Sequence, residues 1–196
     1  TPQWVKVYIQ NEYGTVSDGK PVYTEYNDHQ HHSEVPLVVM KGLPLFLGWD
    51  FGRTPACIIC QITSRGQLRV LDEICAMDMG VTNFAAKVVK PYLMNNYSGM
   101  PITSLIDPSG LDKGDKDEQT CFEILDRLGL NPEGAPTNNF TSRREAVANA
   151  LSWNVDGGQP GLILDPKCKM LRAGFLGKYE LRRMQVTGEE RWTEAP

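Results

Sequence analysis

The sequence predicts an α/β fold built on a mixed β-sheet, and three observations carry that prediction. Apolar, β-branched runs at 45–49, 56–63 and 67–76 follow one another through short turns, the pattern of an antiparallel meander. Apolar positions at helical spacing come next, at Val81, Phe84, Ala85, Val88, Val89 and Leu93. A fourth apolar run, 102–106, follows that helix, and a strand reached through a helical crossover pairs in parallel.

Each element has a local reason. Gly52-Arg-Thr-Pro55 turns the first strand into the second, and Arg65-Gly66 turns the second into the third. Asp78 or Thr82 is the expected cap of the helix, and Pro91 should kink or shorten it. The run 102–106 reads as a strand buried on both faces. Beyond it, Asp112-Lys-Gly-Asp-Lys-Asp117 is a polar loop. A helix over 118–128 is expected there, capped by Asp115 or Asp117 and stopped by Gly129. Residues 131–139 read as loop, 142–153 as a helix capped by Thr141 or Ser142, and 161–164 as a short strand. A short helix over 166–175 and a hairpin pairing 179–185 with 190–193 complete the chain. Three antiparallel strands, a helix, a parallel strand and further helices form the layout of the ribonuclease H-like fold. In that layout the first and fourth strands are neighbours at the sheet centre.

The 196 residues suit one domain, over 44–196, preceded by a turn-rich extension over 1–43. An opening Thr1 in place of Met reads as a fragment or a processed product. Hydrophobic residues make up 41% and charged residues 22%, as in an ordinary soluble globular protein. No apolar run is long enough to span a membrane, and no signal-peptide pattern opens the chain. Five cysteines, an odd number, argue against a secreted disulfide framework. Cys57-Ile-Ile-Cys60 has redox or zinc spacing, but on a strand residues three apart face opposite sides, so both read as core thiols. All three histidines fall in Asp28-His-Gln-His31-His32, a polar stretch readable as loop or as a metal cluster.

The net charge of −4 does not advertise nucleic-acid binding, but its distribution is uneven. Residues 1–138 carry 11 Lys and Arg against 17 Asp and Glu, a net −6. Residues 139–196 carry 9 against 7, a net +2. A metal site beside a weak phosphate-binding face and an ordinary solvated surface both fit this asymmetry. The basic set of the second part is Arg143, Arg144, Lys167, Lys169, Arg172, Lys178, Arg182 and Arg183, open to either reading.

Two aspartates carry the chemical hypothesis. Asp50 ends the first apolar strand in Leu45-Phe-Leu-Gly-Trp-Asp50-Phe-Gly52, and Asp107 ends the fourth in Leu105-Ile-Asp107-Pro-Ser-Gly110. An isolated strand-end Asp usually caps a turn. Two of them on adjacent strands make a site for a hard divalent cation, which prefers oxygen ligands. A pair of such ions activates water and stabilises the leaving oxygen of a phosphodiester. Asp50 is the expected bridging ligand, Asp107 a second, and Glu73 on the third strand a candidate third.

Several stretches together resemble the C-terminal nuclease domain of the large terminase subunit of tailed bacteriophages. They are 48–56 (Gly-Trp-Asp-Phe-Gly-Arg-Thr-Pro-Ala), Leu71-Asp-Glu73 with Asp78-Met-Gly80, Ile106-Asp-Pro-Ser-Gly110, Arg144-Glu-Ala-Val147 and the run 161–172. Residues 11–28 look like the family's linker from its ATPase domain. The resemblance implies a ribonuclease H-like endonuclease that cuts concatemeric double-stranded viral DNA with two Mg2+ or Mn2+ ions during genome packaging. It implies work in the host cytoplasm during virion assembly, with the portal protein, the small terminase subunit and the ATPase domain of the same polypeptide as partners. Asp50 and Asp107 match two of the family's catalytic aspartates. Arg53, Arg143, Arg144, Lys167, Lys169, Arg182 and Arg183 are the DNA-contact candidates. The family's third aspartate follows a later pattern absent before Pro196, so the last segment of the domain is expected to lie past this chain's end. The phosphate loop of the packaging ATPase is also absent. Rival readings are a docking module for the portal and an actin-like phosphotransferase, for which 196 residues are too few.

Overall fold

The computed structural model describes residues 19–52, 54–108, 120–193 apart from 185–190, and 195–196. Its centre is a six-stranded sheet. The strands are β2 (Leu45–Asp50), β3 (Ala56–Ile62), β4 (Leu68–Cys75), β5 (Ile102–Ile106), β6 (Pro132–Gly134) and β9 (Leu162–Leu164). Across the sheet they lie in the order β6-β5-β2-β3-β4-β9. Only β3 runs against the others: it is antiparallel to β2 and β4, whereas β5 pairs with β2, β6 with β5 and β9 with β4 in parallel. The sheet is thus the mixed ribonuclease H-like sheet the sequence predicts, with β2 and β5 side by side. The edge strand β6 falls in the stretch expected to be loop. It is too short and polar to show a strand pattern, and its pairing comes from β5, where Ser104 N–H donates to Asn131 O at 2.9 Å.

Alternation along the strands builds two cores. On one face Leu45, Leu47, Trp49, Cys57, Ile59 and Leu71 pack against Phe84, Ala85, Val89 and Leu93 of the crossover helix and against Leu125 of α4 (Cys121–Arg127). On the other, Cys60, Val70, Leu162 and Leu164 pack against Phe175 and against Leu151 of α5 (Phe140–Ser152). Cys57 and Cys60 indeed lie on opposite faces, and burial pushes the Cys60 thiol up to about 12. The strand β5 is not buried on both faces, because Leu105 remains 40% exposed on the second face.

The crossover helix spans 81–96, running on past Pro91, where a kink or a shortening is expected. It comprises α2 (Val81–Asn83), a π-helical stretch Phe84–Val89 and α3 (Lys90–Asn96), and Lys90 N–H donates to Ala85 O, five residues back. A proline ring clashes with the carbonyl four residues earlier and offers no N–H. Widening the preceding turn relieves both, a recognised use of π-bulges.

Three caps differ from those expected. The crossover helix starts after Gly80 with no side-chain cap, so neither Asp78 nor Thr82 caps it. Helix α4 is capped by Thr120, whose Oγ1 accepts from Glu123 N–H while Glu123 Oε2 accepts from Thr120 N–H, a capping box. The acids proposed from sequence as its cap, Asp115 and Asp117, lie outside the described residues. Helix α5 is capped by Asn139, whose Oδ1 accepts from Ser142 N–H at 3.0 Å, and not by Thr141 or Ser142. Of the two hairpins near the end, β7 (Asn154–Val155) and β8 (Gln159–Pro160) pair before β9, and β11 (Arg183–Met184) pairs with β12 (Arg191–Trp192) as expected. Strand β10 (Glu180–Leu181) instead pairs with β1 (Lys20–Pro21).

The sequence left open whether the first 43 residues pack on the domain, and residues 19–43 do. Besides β1, the short helix α1 (Asp28–His31) docks through Arg172, which grips Asp28 with two hydrogen bonds of 2.8 and 2.5 Å. That fork holds the Asp28 carboxyl below the usual carboxylate range. Buried His31 accepts from Asn27 N–H at Nδ1 and donates from Nε2 to Leu151 O, so it is a structural histidine and not a ligand. The strap that follows is pinned to the sheet. Its amides and carbonyls are taken by Asp165 just past β9, by Gln61 of β3 and by Arg69 of β4.

Candidate metal centre

Parallel strand ends collect functional groups in α/β sheets, and here β2 and β5 supply them. Their register runs Leu45↔Ile102 to Gly48↔Leu105, a constant offset. Asp50 is the last residue of β2, two past the end of that register, and Asp107 is the first residue after β5. By strand alternation Asp50 shares the face of Phe46, opposite Leu45, Leu47 and Trp49. Asp50 Oδ1 accepts weakly from Gly52 N–H at 3.4 Å, and Asp50 is exposed. Asp107 is part-buried, with Arg143 Nη1 3.9 Å from its Oδ2.

Glu73 goes elsewhere. It pairs with Ile58 on β3, which in turn opposes Gly48, so it stands two strands from Asp50. Its carboxylate accepts from Met170 N–H at 2.6 Å and Leu171 N–H at 2.8 Å, capping α6 (Lys169–Ala173) from outside. Two acceptor atoms are thereby committed to the helix's unpaired amides. Among the described residues no group of three His, Cys, Asp or Glu side chains converges as a metal cluster. The donor set of Asp50 and Asp107 fits part of a hard-cation site, since both offer carboxylate oxygens.

The basic candidates separate into committed and exposed groups. Arg144 donates to Glu25 Oε1 at 2.5 Å and to Val22 O, tying α5 to the N-terminal segment. Lys167 Nζ lies 2.8 Å from Asp72 Oδ2. Lys169, Arg182 and Arg183 are exposed, and Arg143 is half-exposed. Arg53 lies outside the described residues.

A second carboxylate cluster was not singled out from sequence. Asp72, at a register shift between β3 and β4, accepts from Tyr92 Oη, Tyr97 Oη and Lys167 Nζ, and is 4% exposed. Burial, then Asp72, raises both phenols far above the usual tyrosine range. Asp165, 1% exposed, accepts from Leu37 and Lys167 amides. A signal existed: Leu164-Asp165-Pro166 ends its strand as Ile106-Asp107-Pro108 does.

The mixed six-stranded sheet with helices on both faces is that of a ribonuclease H-like domain. Among solved structures, the chain shares that fold with the large terminase of a thermophilic bacteriophage in complex with ADP, at a TM-score of 0.64 and 14% identity, over 98% of this chain and 48% of that one. It thus spans about half of that protein's length. The large terminase nuclease of thermophilic phage G20c with bound cobalt matches at a TM-score of 0.56 and 13% identity, over 90% of this chain and 88% of that one. The P22 large terminase nuclease domain matches at 0.55 and 9% identity, over 82% and 79%. The chain has the fold of these nuclease domains. No protein-family model and no curated protein matches the sequence.

Proposed function

We propose that the chain is the nuclease domain of a phage DNA-packaging motor, a divalent-metal-dependent endonuclease that cuts double-stranded viral DNA. What supports this reading is that Asp50 ends β2 and Asp107 directly follows β5, its parallel neighbour, in a fold shared with large-terminase nuclease domains. Asp50 and Asp107 would hold the cation, Mg2+ or Mn2+, through carboxylate oxygens, with a further carboxylate supplied from outside the described residues. Two such ions, when bound, supply an activated water and charge stabilisation at the phosphodiester. The chain's own part is to fix the two carboxylates on rigid strands and to present cations to the DNA backbone. Lys169, Arg182 and Arg183 are the exposed candidates for phosphate contact. The ATPase domain of the same polypeptide, the portal protein and the small terminase subunit are the proposed partners, in the host cytoplasm during assembly.

The test is manganese-dependent plasmid cleavage by the wild type, D50N and D107N. Cleavage by the wild type and its loss in both folded variants supports the reading. Wild-type rates in either variant remove the two-metal model, and inactivity of the wild type with stable portal association favours a docking module.

A further inference from the structure

Arginine is an unusual residue at the start of a helix, where the macrodipole favours acids. Arg143 and Arg144 are the fourth and fifth residues of helix α5, which has no acid in its first turn. The two arginines meet different carboxylates, at different distances. Arg144 is locked, 2.5 Å from Glu25 and bonded to Val22 O. Arg143 is loose: its guanidinium is 53% exposed and stands 3.9 Å from Asp107, itself 28% exposed. That separation exceeds the roughly 2.7–2.9 Å of a charge-assisted hydrogen bond. A half-solvated pair at such a distance is screened and exchanges readily.

We propose that Arg143 is a positioning residue that neutralises Asp107 in the cation-free protein and exchanges onto a phosphate of bound DNA. This rests on the function proposed above. Asp107 is expected to serve a cation, and a divalent charge on that carboxylate repels the guanidinium. The anion then offered to Arg143 is the DNA backbone, whose phosphate oxygens match the planar fork of arginine. One side chain thus competes with the metal and supports the substrate, so metal loading and DNA binding are coupled through it. Arg144, one residue away and equal in charge, is anchored and takes no part.

The experiment titrates Mn2+ by calorimetry into the DNA-free wild type, R143Q, R144Q and D50N, and measures duplex DNA binding in Ca2+ over a range of salt. R143Q should bind Mn2+ about two- to fivefold more tightly, the range of a screened ion pair. Its DNA affinity should fall and its salt slope lessen by about one. R143K should restore most of the DNA affinity. R144Q should melt at lower temperature and leave Mn2+ affinity unchanged. Mn2+ binding that D50N abolishes but R143Q leaves unaltered overturns the role of Arg143 alone. A wild type that binds no Mn2+ overturns the reading of the site, and this role with it.

Discussion

Two pairs of aspartates stand on one sheet in opposite surroundings. Asp72 and Asp165, toward the β4–β9 edge, are buried and every oxygen that accepts a bond serves the fold: two tyrosines, a lysine and three backbone amides. Asp50 and Asp107, on β2 and β5, meet a weak turn amide and a loose arginine among the contacts described above. A buried carboxylate is tolerable only when its hydrogen bonds are complete. The first pair meets that demand and is structural. The second is held on rigid strands within reach of solvent, where a ligand can approach it. Charge fixed by the fold yet presented to solvent is what the function proposed above requires.

Substitutions should divide along this line. The largest effect is expected at D50N or D107N, with manganese-dependent cleavage reduced at least about a thousandfold, ~4 kcal/mol of barrier, and stability changed by no more than about 0.5 kcal/mol. Plasmid cleavage and urea midpoints measure the two halves, and a large loss of stability in either variant would erase the contrast. D165A should do the reverse. It leaves the buried amides of Leu37 and Lys167 without an acceptor and should cost about 3–5 kcal/mol, since each bond to a charged acceptor is worth roughly 1.5–3 kcal/mol. Next comes Glu73, which the structure joins to the structural group through α6. E73A should cost about 1–2 kcal/mol, as for a lost helix cap, and leave cleavage within a fewfold of wild type. A cleavage loss as deep as that of D50N, without matching destabilisation, would move Glu73 into the metal site.

The smallest effect concerns pH. Burial holds the His31 pKa below its ordinary value, so the folded protein keeps the ring neutral where the unfolded chain protonates it. The unfolded state then binds more protons, and stability rises with pH. The contribution is complete above about 6.5 and is lost as pH falls below it. Thermal melts of the wild type between about pH 7.5 and 5.5, a window that brackets the unfolded-state pKa, should show a decline that H31Q flattens.

Much of this was legible in the chain. The runs at 45–49, 56–63, 67–76 and 102–106 became β2 to β5 with ends close to those expected, because strands buried on one or both faces must be apolar in sequence. The strand-end aspartates were visible for the same reason, as charges breaking apolar runs. Other features depended on partners. Nothing local announces β6, whose pairing is provided by β5. Pro91 reads as a helix breaker, and only the packing of Phe84, Ala85 and Val89 into the core makes a widened turn preferable to a break. The Thr120-x-x-Glu123 capping box was readable but competed with richer acidic candidates upstream.

By itself the sequence determined the sheet, the crossover, and that Asp50 and Asp107 would end neighbouring strands, since alternation and turn chemistry are local and the crossover rule is general. It marked Asp165 in the same way as Asp107, with an apolar strand before it and a proline after. Only the tertiary structure separated them. The strap of residues 33–43 passes beside Asp165 and donates an amide to it, whereas part-exposed Asp107 has the guanidinium of Arg143, on α5, 3.9 Å away. An aspartate becomes structural or functional according to which donors the rest of the chain brings to it. Those donors can lie far off in sequence, as Leu37 does from Asp165, so only the folded chain reveals them.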